Sequence, residues 1–204
     1  MSSLDGEKLP VIDFGQTWTF SFMCRNAPRP REEGSNGGGN VENQYETAIH
    51  TIADVSNTQE FWAVYSHLAR ARSLPVNSDS HLFRRGVKPL WEDPSNALGG
   101  KWMIRLRKGL SSRLWEHLVI ALLGDQFSAV GHHEICGAVL SIRNHEDILS
   151  VWNRNASDES AKAAIKDTLK KVLMLPPATV LEYKAHNQSL KDNSSFRNTD
   201  KTKL

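Results

Sequence analysis

The stretch KWMIRLRK, residues 101–108, constrains the fold more than any other part of the chain. In an extended strand Trp102, Ile104 and Leu106 share one face, and Lys101, Met103, Arg105 and Arg107 share the other. A strand that is greasy on one side and cationic on the other belongs in a sheet covered on one face only. Residues 111–126, which begin SSRLWEHL, follow at once and read as a helix. Trp115, Leu118, Val119 and Leu122 form its apolar stripe, and Ile120 lies off it. The sheet and part of its cover are thus adjacent in sequence.

The remaining segments extend this pattern. TWTFSFM at 17–23 is aromatic and β-prone, so a strand is expected. Residues 57–71 read as a helix, with Asn57 as N-cap and Glu60 three positions on, a variant of the capping box. Strands are expected at 134–143 and 147–153. A third helix runs from a cap at Ser157 or Asp158 to Leu175, where Pro176-Pro177 stops it. TVLEYK, at 179–184, is a final strand. The sum is an α+β fold, one mostly antiparallel sheet with about three helices packed on one face.

A chain of 204 residues suits one domain with a sizeable core. It divides into a flexible N-terminal segment (1–16), a folded domain (17–185) and a polar C-terminal tail (186–204). Residues 27–43, rich in Pro, Gly, Asn and charge, read as a flexible loop. No internal repeat appears, and a monomer is expected. There is no apolar leader and no run of the length a membrane span needs. Cys24 and Cys136 give neither a disulfide framework nor a metal spacing, so a cytosolic or nuclear protein with reduced thiols is expected. The net charge of +2 argues against a broad electrostatic grip on long nucleic acid.

Three features could carry chemistry. The cationic face of 101–108 continues into Arg143 at the end of one strand and Trp152 at the end of another. Together they could meet an anionic aromatic ligand, although a solvated sheet face explains the charges equally well. Trp91-Glu92 offers a ring for stacking beside an acceptor for the N–H edge of a base. On the first helix Phe61, Val64, Tyr65 and Leu68 form the core stripe, while Trp62 sits roughly 110° away. Exposed Trp62 and Ile120 could form a docking patch. Enzymatic chemistry finds little support: GGKW lacks the spacing of a phosphate loop, and no acidic cluster suits a metal. His132, His133 and Cys136 of HHEIC lack a fourth ligand. A binding protein without metal or cofactor is expected.

The blocks TQEFWAVYSH, LFRRGVKPLWED, GGKWMIRLRKG, WEHLVIALLGDQF, ICGAVLSIR, ILSVWN and LPPATVLEYK, in this order and spacing, resemble the cap-binding translation initiation factor 4E family over about residues 17–185. KWMIRLRKGLSSRLWE and NASDESA are similar to its class II, repressor-type branch. The resemblance implies a strongly curved antiparallel sheet backed by three helices on its convex face. It implies that the concave face binds the 7-methylguanosine cap of mRNA. Tyr45 and Trp91 would sandwich the base and Glu92 would accept from its N1 and N2 donors. Trp152 would lie against the N7-methyl group, and Arg143 and Lys101 would contact phosphates, helped by Arg105. On the convex face Trp62, with Thr58, Ile120 and Gly124, would receive a Tyr-x-x-x-x-Leu-hydrophobic helix from a regulatory protein. The chain departs from the family at VIDFGQTW, where a His-Pro-Leu segment is usual, and at His145 and Ile148, where later phosphate-contacting lysines fall. These departures and the tyrosine at 45 imply altered partner binding and weaker cap binding.

Overall fold

A computed structural model of the chain describes residues 10–25, 47–192, 194 and 198–203. Its strands are β1 (Asp13–Cys24), β2 (Ile49–Asn57), β3 (Ser78–Arg84), β4 (Gly100–Arg107), β5 (Ile135–Ile142), β6 (Glu146–Asn153), β7 (Val180–Ala185) and β8 (Asp200–Lys203). They form one curved sheet in the order β2-β1-β3-β5-β6-β4-β7-β8, with every neighbouring pair antiparallel. Register shifts in β1 and in the β5–β6 pair are bulges of the kind that bend a strand. The helices described are α1 (Thr58–Tyr65), α2 (Ser111–Leu123), α3 (Glu159–Val172) and α4 (His186–Asp192). None is long and apolar enough to cross a membrane.

The alternation in β4 is what splits the molecule. Trp102, Ile104 and Leu106 lie in the main core with Phe61 and Tyr65 of α1, Trp115 and Leu118 of α2, and Ile165 and Leu169 of α3. The Trp102 indole also donates to the Lys162 carbonyl of α3 at 3.0 Å, tying sheet to helix. On the opposite face Phe83, Cys136, Val139 and Trp152 form a second, small cluster against which Val87 and Trp91 pack.

The helix boundaries follow local hydrogen bonding. The Asn57 side chain accepts from the amides of Gln59 and Glu60, each at 3.0 Å. The Glu60 carboxylate accepts from the Ser56 amide at 2.7 Å, one residue before the N-cap amide used in the usual capping box. α1 ends at Tyr65, earlier than the expected 71, because Ser66 and His67 turn their side chains onto the Trp62 and Ala63 carbonyls. Asp158 is the cap of α3 and accepts from Ala161 at 2.9 Å. That helix stops at Val172 rather than Leu175, because Met174 adopts a left-handed conformation (φ 49°) and Leu175 bonds back to the Lys170 carbonyl.

Two strands escape the sequence pattern. β2 is a largely exposed edge strand whose sequence, IHTIADVSN, carries no clean alternation. β3 opens with the polar Ser-Asp-Ser and carries no apolar alternation there, yet Ser78 and Asp79 are buried through hydrogen bonds. The expected polar tail beyond residue 185 contains α4 and the edge strand β8. The loop expected at 27–43 lies outside the described residues.

Candidate functional site

A row of residues in register crosses the sheet on the face away from α1–α3: Phe83, Gly137, Trp152, Lys101 and Lys184. Gly137 is required there, because a Cβ would collide with the Phe83 ring. The ring lies over the glycine and meets Trp152 edge-on, centroids 5.3 Å apart. Behind Trp152 the His186 ring packs at 4.2 Å.

Trp91 arrives from a loop, residues 86–99, that is fastened from within. Fully buried Asn96 donates to the carbonyls of Lys88 and Leu90 at 2.8 and 2.7 Å. Asp93 accepts from the amides of Lys88 and Ser95 at 3.0 and 2.8 Å. The Cys136 thiol donates to the Ser95 carbonyl, and Gly99 passes so close to the Asn153 carbonyl that no side chain fits. The result holds Trp91 half-buried against the Phe83–Trp152 cluster. Glu92, beside it, is exposed and makes no hydrogen bond or ion pair among the described residues. Its oxygens remain available to accept.

Lys101 is the least expected feature. Its ammonium sits 5.6 Å from the Trp91 centroid and 5.5 Å from that of Trp152, and the residue is only 5% exposed. The faces of two indoles hold the charge, through their ring quadrupoles. Burial pushes the Lys101 pKa down to about 7, and the adjacent Lys184 charge adds to this. Among the described residues, Trp152 Nε1 and both ring nitrogens of His186 are buried without a hydrogen-bond partner. Burial, then the Lys101 charge, keeps His186 well below its usual range and neutral, though the Gly100 backbone pulls the other way.

Arg143 is aimed by Asp79, whose carboxylate takes its guanidinium at 2.7 Å and that of Arg25 at 3.2 Å. Arg143 also donates to the Ser78 and Ile142 carbonyls. Burial alone would raise the Asp79 pKa, but Arg143, a Ser141 hydrogen bond and Arg25 outweigh it and hold it below the usual value. Arg105 does not join the indoles. Glu146 and Glu182 engage it at 2.5 and 3.0 Å, which offsets the charge expected of a phosphate contact. Tyr45 lies outside the described residues. His132 and His133 are exposed while Cys136 is buried, and no group of metal-ligating side chains assembles among the described residues.

On the helix-covered side Trp62 and Ile120 are 52% and 46% exposed, and Gly124 caps the C-terminus of α2. Thr58 exchanges two hydrogen bonds with Ile12, its amide donating to the Ile12 carbonyl at 2.9 Å and its hydroxyl accepting from the Ile12 amide at 3.1 Å. That leaves Val11 and Ile12 exposed beside α1. A separate groove of about 320 Å³ between β1, β2 and the helices is lined mainly by apolar groups, among them Phe20, Phe22, Ile52, Leu68 and Trp115.

The family described as Eukaryotic initiation factor 4E matches residues 13–201. The chain belongs to the eukaryotic initiation factor 4E family. Over 161 residues it is 53% identical to the eukaryotic translation initiation factor NCBP of Triticum aestivum, covering 79% of this chain and 68% of that protein. It is 50% identical over 185 residues to eukaryotic translation initiation factor 4E-4 of Caenorhabditis elegans, covering 91% and 82%. Among solved structures, the complex of C. elegans eIF4E-3 with the 4E-binding protein Mextli and a cap analog matches with a TM-score of 0.77. That match has 29% identity and covers 89% of this chain and 96% of that one.

Several residues that build or surround this indole cluster were missed in the sequence. Phe83 and Asp79 sit on β3, for which the sequence suggests no element; Asn96 is a loop asparagine among polar neighbours. His186, Lys184 and Asp192 straddle the expected start of the tail. Only Lys184 carried a signal, since it falls in the strand-like TVLEYK.

Proposed function

We propose that this 4E-family protein binds the 7-methylguanosine cap of mRNA by stacking the base between Trp91 and Tyr45, with Trp152 against the N7-methyl group, and regulates translation by recruiting a partner helix to its α1–α2 side. The observation that carries the proposal is Lys101. An ammonium within 6 Å of both indole centroids means that the ring faces are already arranged to hold a positive charge. Methylation at N7 makes guanine such a cation. Glu92 supplies the acceptor for its N1–H and N2–H donors, with charge assistance. Arg143, aimed by Asp79, is placed for phosphate. Tyr45 supplies the second stacking ring. The C. elegans complex with a cap analog supports this reading from a relative. Binding needs no chemistry on the ligand, so the protein acts without turnover, metal or cofactor, as a cytoplasmic monomer.

Fluorescence titration tests it. 7-Methyl-GTP is expected to quench tryptophan emission and to bind at least about tenfold tighter than GTP, the scale of one to two kcal/mol of cation–π preference. Equal affinity for the two nucleotides would defeat the site assignment.

For the partner surface, exposed Trp62 is the anchor, with Thr58, Ile120 and Gly124 around it. Exposed Val11 and Ile12 take the place of the usual His-Pro-Leu segment and extend the apolar area. Trp62→Ala is expected to weaken a Tyr-x-x-x-x-Leu-hydrophobic peptide by about 2 kcal/mol or more, measured by calorimetry. The protein acts as a repressor, holding the cap while its partner keeps the initiation scaffold away. A second reading, favoured by the initiation-factor names of the 53% and 50% identical relatives, is a factor that promotes translation. Stable capture of the scaffold protein by the wild type would select that second reading.

A further inference from the structure

The C-terminal segment touches the site at two places. His186, the first residue of α4, packs its ring on Trp152. Asp192, the last, takes the Lys184 ammonium with both carboxylate oxygens, at 3.0 and 2.8 Å. Lys184 is fully buried and stands directly opposite Lys101 in the β4–β7 register. Side chains so opposed share a face with Cβ atoms about 4.5–5.5 Å apart, where like charges repel. Two buried cations therefore adjoin. Lys101 is held by indole faces, with no carboxylate paired to it among the described residues. Glu182, on the same face of β7, is committed to Arg105 and to the Thr199 hydroxyl. Among the described residues, Asp192 is the carboxylate that offsets Lys184.

The charge that surrounds the indoles decides which base they favour. If Asp192 were neutral, the Lys184 ammonium would lose the negative charge that Asp192 supplies, and the positive charge beside Lys101 would grow. A cationic methylated guanine would lose attraction, whereas neutral guanine would be little affected. The triphosphate would gain equally on either nucleotide, so the ratio of their affinities isolates the effect on the base.

We infer that Asp192, outside the site, is a specificity-determining residue: through its ion pair with Lys184 it sets how strongly the site prefers a cationic methylated base to neutral guanine. This rests on the cap-binding reading above. Lys184 already contributes to lowering the Lys101 pKa, and the Lys184 contact holds Asp192 below the usual carboxylate range.

The test compares 7-methyl-GTP with GTP on wild type, Asp192→Asn, Lys184→Met and the double variant, with a thermal melt of each. Asp192→Asn is expected to cut the affinity ratio roughly three- to tenfold, the scale of one added charge near a partly buried site. Lys184→Met, which removes the cation itself, should hold the ratio or raise it. The double variant should return it to at least the wild-type value. A ratio unchanged in Asp192→Asn would overturn the inference. So would a ratio lowered in Lys184→Met, because a merely structural pair suffers from loss of either member; that variant decides even if Asp192→Asn folds poorly. A wild type with no preference would instead defeat the cap-binding reading itself, and this inference with it.

Discussion

Replacement of Trp91 by alanine is expected to lower affinity for 7-methyl-GTP about a hundredfold while leaving the melting transition within about 1 kcal/mol of wild type. Base–aromatic stacking contributes about 1–3 kcal/mol per base, and a cationic base on a desolvated ring adds up to roughly 2 kcal/mol. The loss is confined to binding because of how Trp91 is mounted. Asn96, Asp93 and the Cys136 thiol fasten the loop through backbone groups, and none of these bonds involves the indole. Trp91 is half-buried at the edge of its cluster, so its removal opens no enclosed cavity. Trp152 is different: it is 5% exposed and wedged between Phe83 and His186, and its truncation would cost stability as well. Calorimetry with a capped oligonucleotide and its unmethylated control, beside a thermal melt, measures both quantities. An affinity for the capped form within about threefold of wild type would remove Trp91 from the base-stacking role.

What could be read from the sequence was whatever follows from periodicity. The split of β4 into a core face and a cationic face, the three amphipathic helices and the strands of the second half all rest on spacing that a single chain displays. The 4E resemblance rests on blocks of tryptophan and charge. Features that depend on pairing across the sheet were not legible. Asp79 carries no signal in the sequence, because Arg143 and Arg25, which surround it, are both distant along the chain. The 4E resemblance implies a phosphate contact for Lys101, and periodicity places it only on the face opposite the core. Only the register, which sets Trp152 and Lys184 opposite it, reveals a buried cation between rings. The C-terminal helix was missed for a similar reason. HNQSLKD has no amphipathic stripe of its own, and it docks through contacts with residues distant in sequence or hidden by register: the His186 ring on Trp152, the His186 amide on the Gly99 carbonyl and the Asp192–Lys184 ion pair.

Asp79 carries the second large effect. Asp79→Asn is expected to destabilise the fold by about 3 kcal/mol at neutral pH, because breaking a buried ion pair leaves the remaining charge uncompensated. The carboxylate is 1% exposed as a residue and serves two guanidiniums, so the amide can replace neither its charge nor its full set of accepting oxygens. For a domain of this size the melting temperature should drop by roughly 10 °C. The acid dependence follows from the direction of the shift. The folded-state pKa of Asp79 is held below the ordinary value of 3.8. The stabilisation is therefore complete above that value and is lost as pH falls through the lower, folded-state one. Urea midpoints should separate wild type from variant clearly at pH ~7 and converge below pH ~3.8. A gap that stays constant across that range would mean that charge is not what Asp79 contributes. Binding gives an independent reading of the same residue. With Asp79 neutral, Arg143 loses the partner that aims it, so the gain in affinity from 7-methylguanosine to 7-methyl-GTP should shrink. The preference for the methylated base, which we assign to the indoles and Glu92, should persist in the variant that remains folded.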